Sequence, residues 1–549
     1  MADGHRAHLR GQPRGGERGR AVTAGRRTDG TGLTAPRRGR DRRATVVRPA
    51  PGRDRFGGGD APRVAVVGGG IAGLAAATGL VERGVGVTLY EREPGLGGRL
   101  AGRPVTLADG STVTMSRGFH AFFRQYYNLR GLLRRADPGL RMLSGLPDYP
   151  LRHGGGRELY DSFARVPRTP PWSALGFVAL SPTFGWRDLA RMDPRAALPL
   201  LDVRVPRVYE ELDGVSAEDF LSGIRFPEAA RHLAFEVFSR SFFCDPGELS
   251  AAELVLMFHI YFLGSSEGLL FDVPNEPFPA ALWEPLGSYL TGLGVGLRTG
   301  TAVEEVAPAP GGGLTVTADG RPRRYDAVVL ALDSGGLRQL VAESHRLCDE
   351  RWRARIGRLR DAPPFLVSRL WLDRPVAADR PGFLGTSGFG GLDNVSVLER
   401  WEGEAARWAA GTGGSVVELH AYAVAPGTDR AAQQRLLVEQ LHRVYPETRS
   451  ARTVDALHEW RSDCPLFPVG GYGDRPTVRT PDPDVVVAGD LVRTDLPVAL
   501  MERAATTGFL AANALLERWG VRGQTLWTVP DRGRSAGLRA LVRLTRRAS

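Results

Sequence analysis

Apolar positions along this chain change period in an ordered way. Residues 63 to 91, RVAVVGGGIAGLAAATGLVERGVGVTLYE, open with an apolar β-type run and pass through a glycine turn. An amphipathic stretch at helical spacing follows, and a second β-type run ends in an acid. Residues 484 to 516 show the same strand-then-helix order: DVVVAGD precedes a helix expected to begin near Pro497, since proline suits the first helical position. Between them, TGTAVEEV, GLTVTADG and YDAVVLALD read as strands broken by turns, and FLVSRLWLD and SVVELHAYAV as further strands. PEAARHLAFEVFSRSF and AAELVLMFHIYFL read as helices. The stretch SRGFHAFFRQYYN, residues 116 to 128, puts Phe119, Phe122, Phe123, Tyr126 and Tyr127 at i, i+3, i+4, i+7 and i+8. That spacing predicts one helix face, continued by Leu129, Leu132 and Leu133, with His120 and Arg124 on a neighbouring face.

At 549 residues and 42% hydrophobic content the chain can bury more than one core, which excludes a fibrous or wholly disordered protein. The net charge of +11 suggests nucleic acid until it is located along the chain. The first 63 residues hold 16 Arg against 6 acids, and the residues from 531 onward hold 6 Arg against 1 Asp, so the body is mildly acidic and nucleic acid is not an expected partner. Residues 1 to 62 are Arg-, Gly- and Pro-rich and are expected to be a disordered tail. In the basic tail at 521 to 549, Leu538, Leu541, Val542 and Leu544 form a rough stripe beside Arg539, Arg543 and Arg546, which reads either as a short membrane-surface helix or as a frayed solvated tail. No segment has the roughly 18 apolar residues needed to cross a bilayer. Cys244, Cys348 and Cys464, odd in number and widely spaced, supply neither a disulfide framework nor a metal signature, which points to a reducing cytoplasm and no metal. All 72 basic residues are arginine, so lysine chemistry is excluded.

Gly68, Gly70 and Gly73 stand at GxGxxG spacing between strand and helix. The first permits a tight turn, the second lets main chain approach a pyrophosphate, and the third lets helix pack on strand. Glu91, closing the second strand, is placed to accept hydrogen bonds from ribose hydroxyls.

The next residues, EREPGLGGRL, carry Gly97-Gly98-Arg99. This element resembles the flavin-contacting GGR of FAD enzymes of the amine oxidase and carotenoid desaturase superfamily. The resemblance extends to Gly489-Asp490, where the family's Asp bonds the ribitol chain, to Met501 in the same late segment, and to Val303, whose main chain would touch adenine. It implies FAD and an α/β fold with an α+β substrate part. The Rossmann-like FAD domain would be discontinuous, built from 63–125, 286–345 and 476–520. The substrate domain would comprise 126–285 and 346–475. Within the superfamily, RGFHAFFRQYYNLRGLLRR, LFPVGGYGDRP and DLPVALMERAATTGFLAANALL resemble the carotenoid φ-ring synthases. That narrower likeness implies a β-carotene-like substrate whose β-ionone rings become aromatic, through two hydride removals per ring and a shift of one geminal methyl.

The resemblance also assigns candidate roles. Gly118-Phe119-His120 would lie near flavin and substrate, with Phe119, Phe122, Phe123 and Arg124 lining the substrate. His120 would accept a proton, with Asp495 and Glu502 as alternative bases, and LFPVGGYGDRP would be either tunnel lining or a structural loop. The substrate implies docking on a membrane surface, at the cytoplasmic face of the cell membrane. No motif names the electron acceptor or the oligomeric state. Two other readings keep the fold: desaturation of another isoprenoid, acyclic carotene or squalene-type, and a non-catalytic isoprenoid carrier like the GDP-dissociation inhibitors. The latter has no need for Glu91, Gly97-Gly98-Arg99 and Gly489-Asp490 together. Amine oxidation is disfavoured because many such oxidases hold a lysine near the flavin.

Overall fold

Five parallel strands form the sheet on which the glycine turn sits. In the computed structural model, which describes residues 41–57, 59, 61–154, 159–183, 190, 193, 197–226 and 242–547, their order is Gly296–Arg298, Gly86–Tyr90, Arg63–Val67, Ala327–Leu330 and Val485–Val487. Every pairing is parallel. The three strands at 63–67, 327–330 and 485–487 are almost wholly buried, as strands covered on both faces must be. An antiparallel meander, Val303–Pro308, Leu314–Ala318 and Arg321–Tyr325, leads into the fourth strand of this order, as the turns predict.

The helix Ile71–Val81 is not amphipathic: all of its residues are buried. The helix Leu500–Arg518 crosses it at short range because small residues meet there. A Cβ on Gly508 would lie 2.3 Å from the Ala72 carbonyl oxygen, and one on Gly79 would lie 2.8 Å from Ala512 Cβ. The late helix begins after the expected Pro497, because Arg503 Nε donates to the Val498 carbonyl at 2.9 Å and Ala499 is extended.

A second sheet has seven strands in the order Thr453–Arg461, Phe365–Leu372, Ser415–Ala421, Asn394–Val397, Phe383–Ser387, Leu151–His153 and Leu159–Asp161. It is antiparallel apart from the pairing of 383–387 with 151–153. AAELVLMFHIYFL forms the α-helix Ala251–Phe258 and a wider π turn, His259–Gly264. PEAARHLAFEVFSRSF lies almost wholly outside the described residues. Among the described residues, no helix is long and apolar enough to cross a membrane.

Two further expectations fail here. The aromatic stretch is not one helix: Phe122–Phe123 is a strand, and helix is confined to Tyr127–Leu133. The same spacing serves both arrangements, and tertiary partners decide between them. Phe123 pairs with Phe271 and Phe122 with Asp272 in an antiparallel ladder. Asp272, fully buried, accepts from Arg124 at 2.9 Å and Arg130 at 2.6 Å. Glu502 caps the short helix by accepting the N–H groups of Asn128 and Leu129, each at 2.9 Å. The second failure is the N-terminal tail, which has structure from residue 41 onward. Thr45–Val47 pairs antiparallel with Leu526–Thr528, and Phe56 is buried with its ring 6.1 Å from that of Trp519. Phe56 and Val47 pack against the core, and Asp41 accepts from the Ser266 N–H and from Arg534, each at 2.9 Å, so a few apolar and polar contacts hold this Arg-rich stretch.

Replacing Glu502 by Ala strands two N–H groups at an interior helix start, each costing about 1–3 kcal/mol. Calorimetry should show a lowered thermal midpoint for Glu502→Ala and partial recovery for Glu502→Gln, whose amide oxygen still accepts one bond.

Candidate active site

A cavity of about 1000 Å³ runs from the glycine turn to the rings of the 116–128 stretch. Its first half is walled by main chain. Gly68 has φ 108°, and a Cβ there would sit 2.3 Å from the Ala331 carbonyl oxygen, so only glycine fits. Gly70 differs: its φ is −78°, and the atom nearest its Cβ position, Gly98 Cα, is 3.8 Å away. Space is therefore open in front of a helix N-terminus, where a pyrophosphate is favoured. Glu91 is held at the end of its strand by accepting the N–H of Gly69 at 2.7 Å and that of Glu93 at 2.9 Å. The Gly97 N–H donates to the Gly69 carbonyl at 2.9 Å, which ties the GGR turn to the first glycine turn. Arg99 Nη2 donates to Asp490 Oδ1 at 2.6 Å across 391 positions of sequence. Behind Asp490, Arg503 and Arg475 converge on the buried Glu253, where they outweigh burial and hold its carboxyl below the ordinary carboxylate range.

The other half is walled by rings. Phe119 stacks on Phe383 with centroids 4.1 Å apart and meets Phe271 edge-on at 6.0 Å; Phe123 lies 4.6 Å from Tyr261. Tyr149, Phe163 and Phe243 continue the wall. Two histidines interrupt it. His120 Nδ1 bonds the Gly118 carbonyl at 2.9 Å, and burial, despite that bond, pushes its pKa down to about 4. The ring is thus neutral at neutral pH. His420 borders the cavity beside Tyr422, with Nε2 2.9 Å from Glu418 Oε1.

The chain matches the profile of flavin containing amine oxidoreductases over residues 71–516. It is 77% identical to a carotenoid phi-ring synthase of Streptomyces griseus, with 92% of this chain and 98% of that protein covered. The chain belongs to the carotenoid phi-ring synthase family. A second member, from Chlorobaculum tepidum, is 28% identical, over 86% of this chain and 91% of its own length. Among solved structures, the cyclohexylamine oxidase of Brevibacterium oxydans superposes with a TM-score of 0.59 at 15% identity, covering 84% of this chain and 99% of that one; it shares the fold.

As a family member, the chain is an FAD-dependent oxidoreductase, and its residues fit that cofactor. Gly68, Gly70, Glu91, Gly97, Gly98, Arg99, Val303, Gly489, Asp490 and Met501 all border the cavity, with open space at Gly70. Gly73 lies behind, where a Cβ would collide with the Gly68 carbonyl. Phe119, His120 and Phe123 also border the cavity. The remaining expectations need correction. Phe122 is buried in the core because neighbouring strand residues face opposite ways. Arg124 is occupied by Asp272 and does not line the substrate space. Asp495 is exposed and outside the cavity wall. Glu502 lies in the interior capping a helix, with burial raising its pKa to about 8 against the two N–H groups it accepts. Of the two readings of LFPVGGYGDRP, tunnel lining or structural loop, the structure favours the loop: it is off the wall, with Tyr472 stacked on Tyr209 at 3.8 Å and Arg475 paired with Glu253. Sequence reasoning missed Glu418, His420 and Tyr422, although polar residues at alternate positions of an apolar strand are a signal in SVVELHAYAV.

Two outcomes are expected. Gly70→Val should yield folded protein that purifies without flavin absorbance, whereas Gly68→Val should fail to fold, as circular dichroism would show. For His120, a depressed folded pKa means that the unfolded chain takes up the proton first. Its contribution to stability is intact above about pH 6.5 and is lost as pH falls toward 4. Urea titrations across this window should show a shallower loss for His120→Gln than for the parent.

Proposed function

We propose that this chain aromatises the β-ionone end rings of β-carotene or a close relative, removing four hydrogens from each ring and moving one geminal methyl to the neighbouring carbon. What carries the reading is the continuity of one cavity, with a flavin-type cradle at Glu91, Arg99 and Asp490 and an aromatic wall beyond it. FAD, when bound, accepts the hydrides. The protein's own contribution begins with shape: the rings of Phe119, Phe271 and Phe383 hold a flat polyene end and exclude water. Their π faces also favour positive charge developing on the substrate ring. His120 serves as a proton acceptor, since its imidazole is neutral and borders the same space.

Access from a membrane is part of the proposal. On the helix Trp172–Leu180, Phe177 faces inward and stacks at 4.9 Å on Phe163, a residue of the cavity wall. Trp172, Leu175 and Leu180 point outward and are 62%, 53% and 56% exposed. A row of large apolar side chains beside an aromatic tunnel suits the cytoplasmic leaflet of the cell membrane, and the Arg-rich termini would favour anionic lipid.

Expression of the full chain in a bacterium that accumulates β-carotene should produce a pigment with four fewer hydrogens per converted ring and unchanged carbon count, absent from a Gly70→Val control. Unchanged β-carotene beside a flavin-loaded protein would overturn the assignment. In flotation assays with anionic vesicles, the pair Trp172→Glu and Leu175→Glu should leave the protein in the soluble fraction while the parent floats.

A further inference from the structure

The strand Ser415–Ala421 buries Val417, Leu419 and Ala421 in the apolar core of the seven-stranded sheet. Its other face carries Glu418 and His420 and is continued by Tyr422. These three side chains form a hydrogen-bonded line. Glu418 Oε1 lies 2.9 Å from His420 Nε2, and His420 Nδ1 lies 2.7 Å from the Tyr422 hydroxyl. Burial falls along the line: Glu418 is fully buried, His420 is 1% exposed, and Tyr422 is half-buried in the cavity wall.

The proton positions follow from the charge at the closed end. Burial opposes ionisation of Glu418, but Arg369, at 2.7 Å, and the His420 contact outweigh it and hold the carboxyl at about 2. The Phe119 N–H donates to the same carboxylate at 2.8 Å. An ionised Glu418 only accepts, so His420 turns an Nε2–H toward it, and in the neutral imidazole the lone pair at Nδ1 faces the Tyr422 hydroxyl. The Tyr422 hydroxyl therefore donates to His420, while Asn394 Nδ2 donates to the Tyr422 oxygen at 3.0 Å.

We infer that Tyr422 is a proton acceptor in ring aromatisation, with His420 and Glu418 as the positioning residues that draw its own proton away. The inference rests on the ring-aromatising reading above. Each ring loses two protons besides its two hydrides, and the wall that holds His120 holds this second acceptor. In the step, the electron pair of a ring C–H bond becomes part of a ring double bond. The proton goes to Tyr422 Oη as the tyrosine's own proton moves to His420 Nδ1. The resulting imidazolium is paired with the Glu418 carboxylate. No oxidant enters this step, since the hydrides leave by the flavin chemistry of the family.

The test is Tyr422→Phe, which keeps the ring in the wall and removes only the hydroxyl. Purified holoenzyme would be assayed on β-carotene in anionic vesicles. The expected result is a fall in kcat of about 100-fold or more, the usual contribution of a positioned acid or base, with flavin absorbance, thermal midpoint and KM for β-carotene unchanged. His420→Gln should lower kcat in the same direction, and it decides the matter if the tyrosine variant loses its flavin. Parent-like kcat in a flavin-loaded variant would overturn the inference while leaving ring aromatisation standing. A parent enzyme that forms no aromatic ring would instead overturn the reading beneath it.

Discussion

The 2.6 Å bond between Arg99 and Asp490 is the contact on which the site depends, because it draws the GGR turn and the end of the last parallel strand to one place. Both side chains are partly buried, at 26% and 12% exposure, so removing either would leave the other charged in a poorly solvated position. The surroundings reinforce the pair from two sides. Trp283 Nε1 donates to the Leu100 carbonyl at 2.7 Å beneath the GGR turn, and Arg503 donates to the Asp490 carbonyl at 3.2 Å from behind. The cradle is therefore assembled by directional polar contacts between distant segments on a base of buried parallel strands.

Buried charges also place the aromatic wall. Asp272 bridges Arg124 and Arg130, and the strand that carries it aligns Phe271 with Phe123. Glu418 neutralises Arg369 and holds the Phe119 N–H, so the ring stacked on Phe383 is anchored from its main chain. Rings alone offer little directional force and would pack in several ways at similar energy. Charge-assisted hydrogen bonds at their backbones select one arrangement. The same carboxylate that anchors Phe119 orients His420, which links the shape of the wall to its chemistry.

Local pattern carried much of this architecture. Strand, glycine turn, helix and acid at 63–91 could be read because each step is enforced by neighbours in sequence: a tight turn needs glycine, and a buried parallel strand needs an apolar run. The meander at 303–325 was recognisable for the same reason, whereas the late Gly489-Asp490 stood out through the family resemblance. The aromatic stretch was misread because residues spaced for one helix face also suit a two-residue strand followed by a short helix, and only partners far along the chain, the Phe271–Asp272 strand and Glu502, separate the two. Glu418, His420 and Tyr422 went unnoticed because a polar face on a strand has no meaning until the fold shows whether it meets solvent or a cavity.

The chain's local order thus dictated the nucleotide-type turn and the parallel strands, since these rest on steric demands that act between near neighbours, while the family was legible only as a resemblance carried by motifs spread along the sequence. Folding in three dimensions settled which polar groups border the cavity. Arg124 and Glu502 were drawn into interior bonds, Asp495 was left in solvent, and the line from Glu418 to Tyr422 was set against the substrate space. A charged or titratable side chain takes its role from the partner it meets in the fold, and for Arg99, Arg124 and Glu502 that partner lies 391, 148 and 374 positions away along the chain.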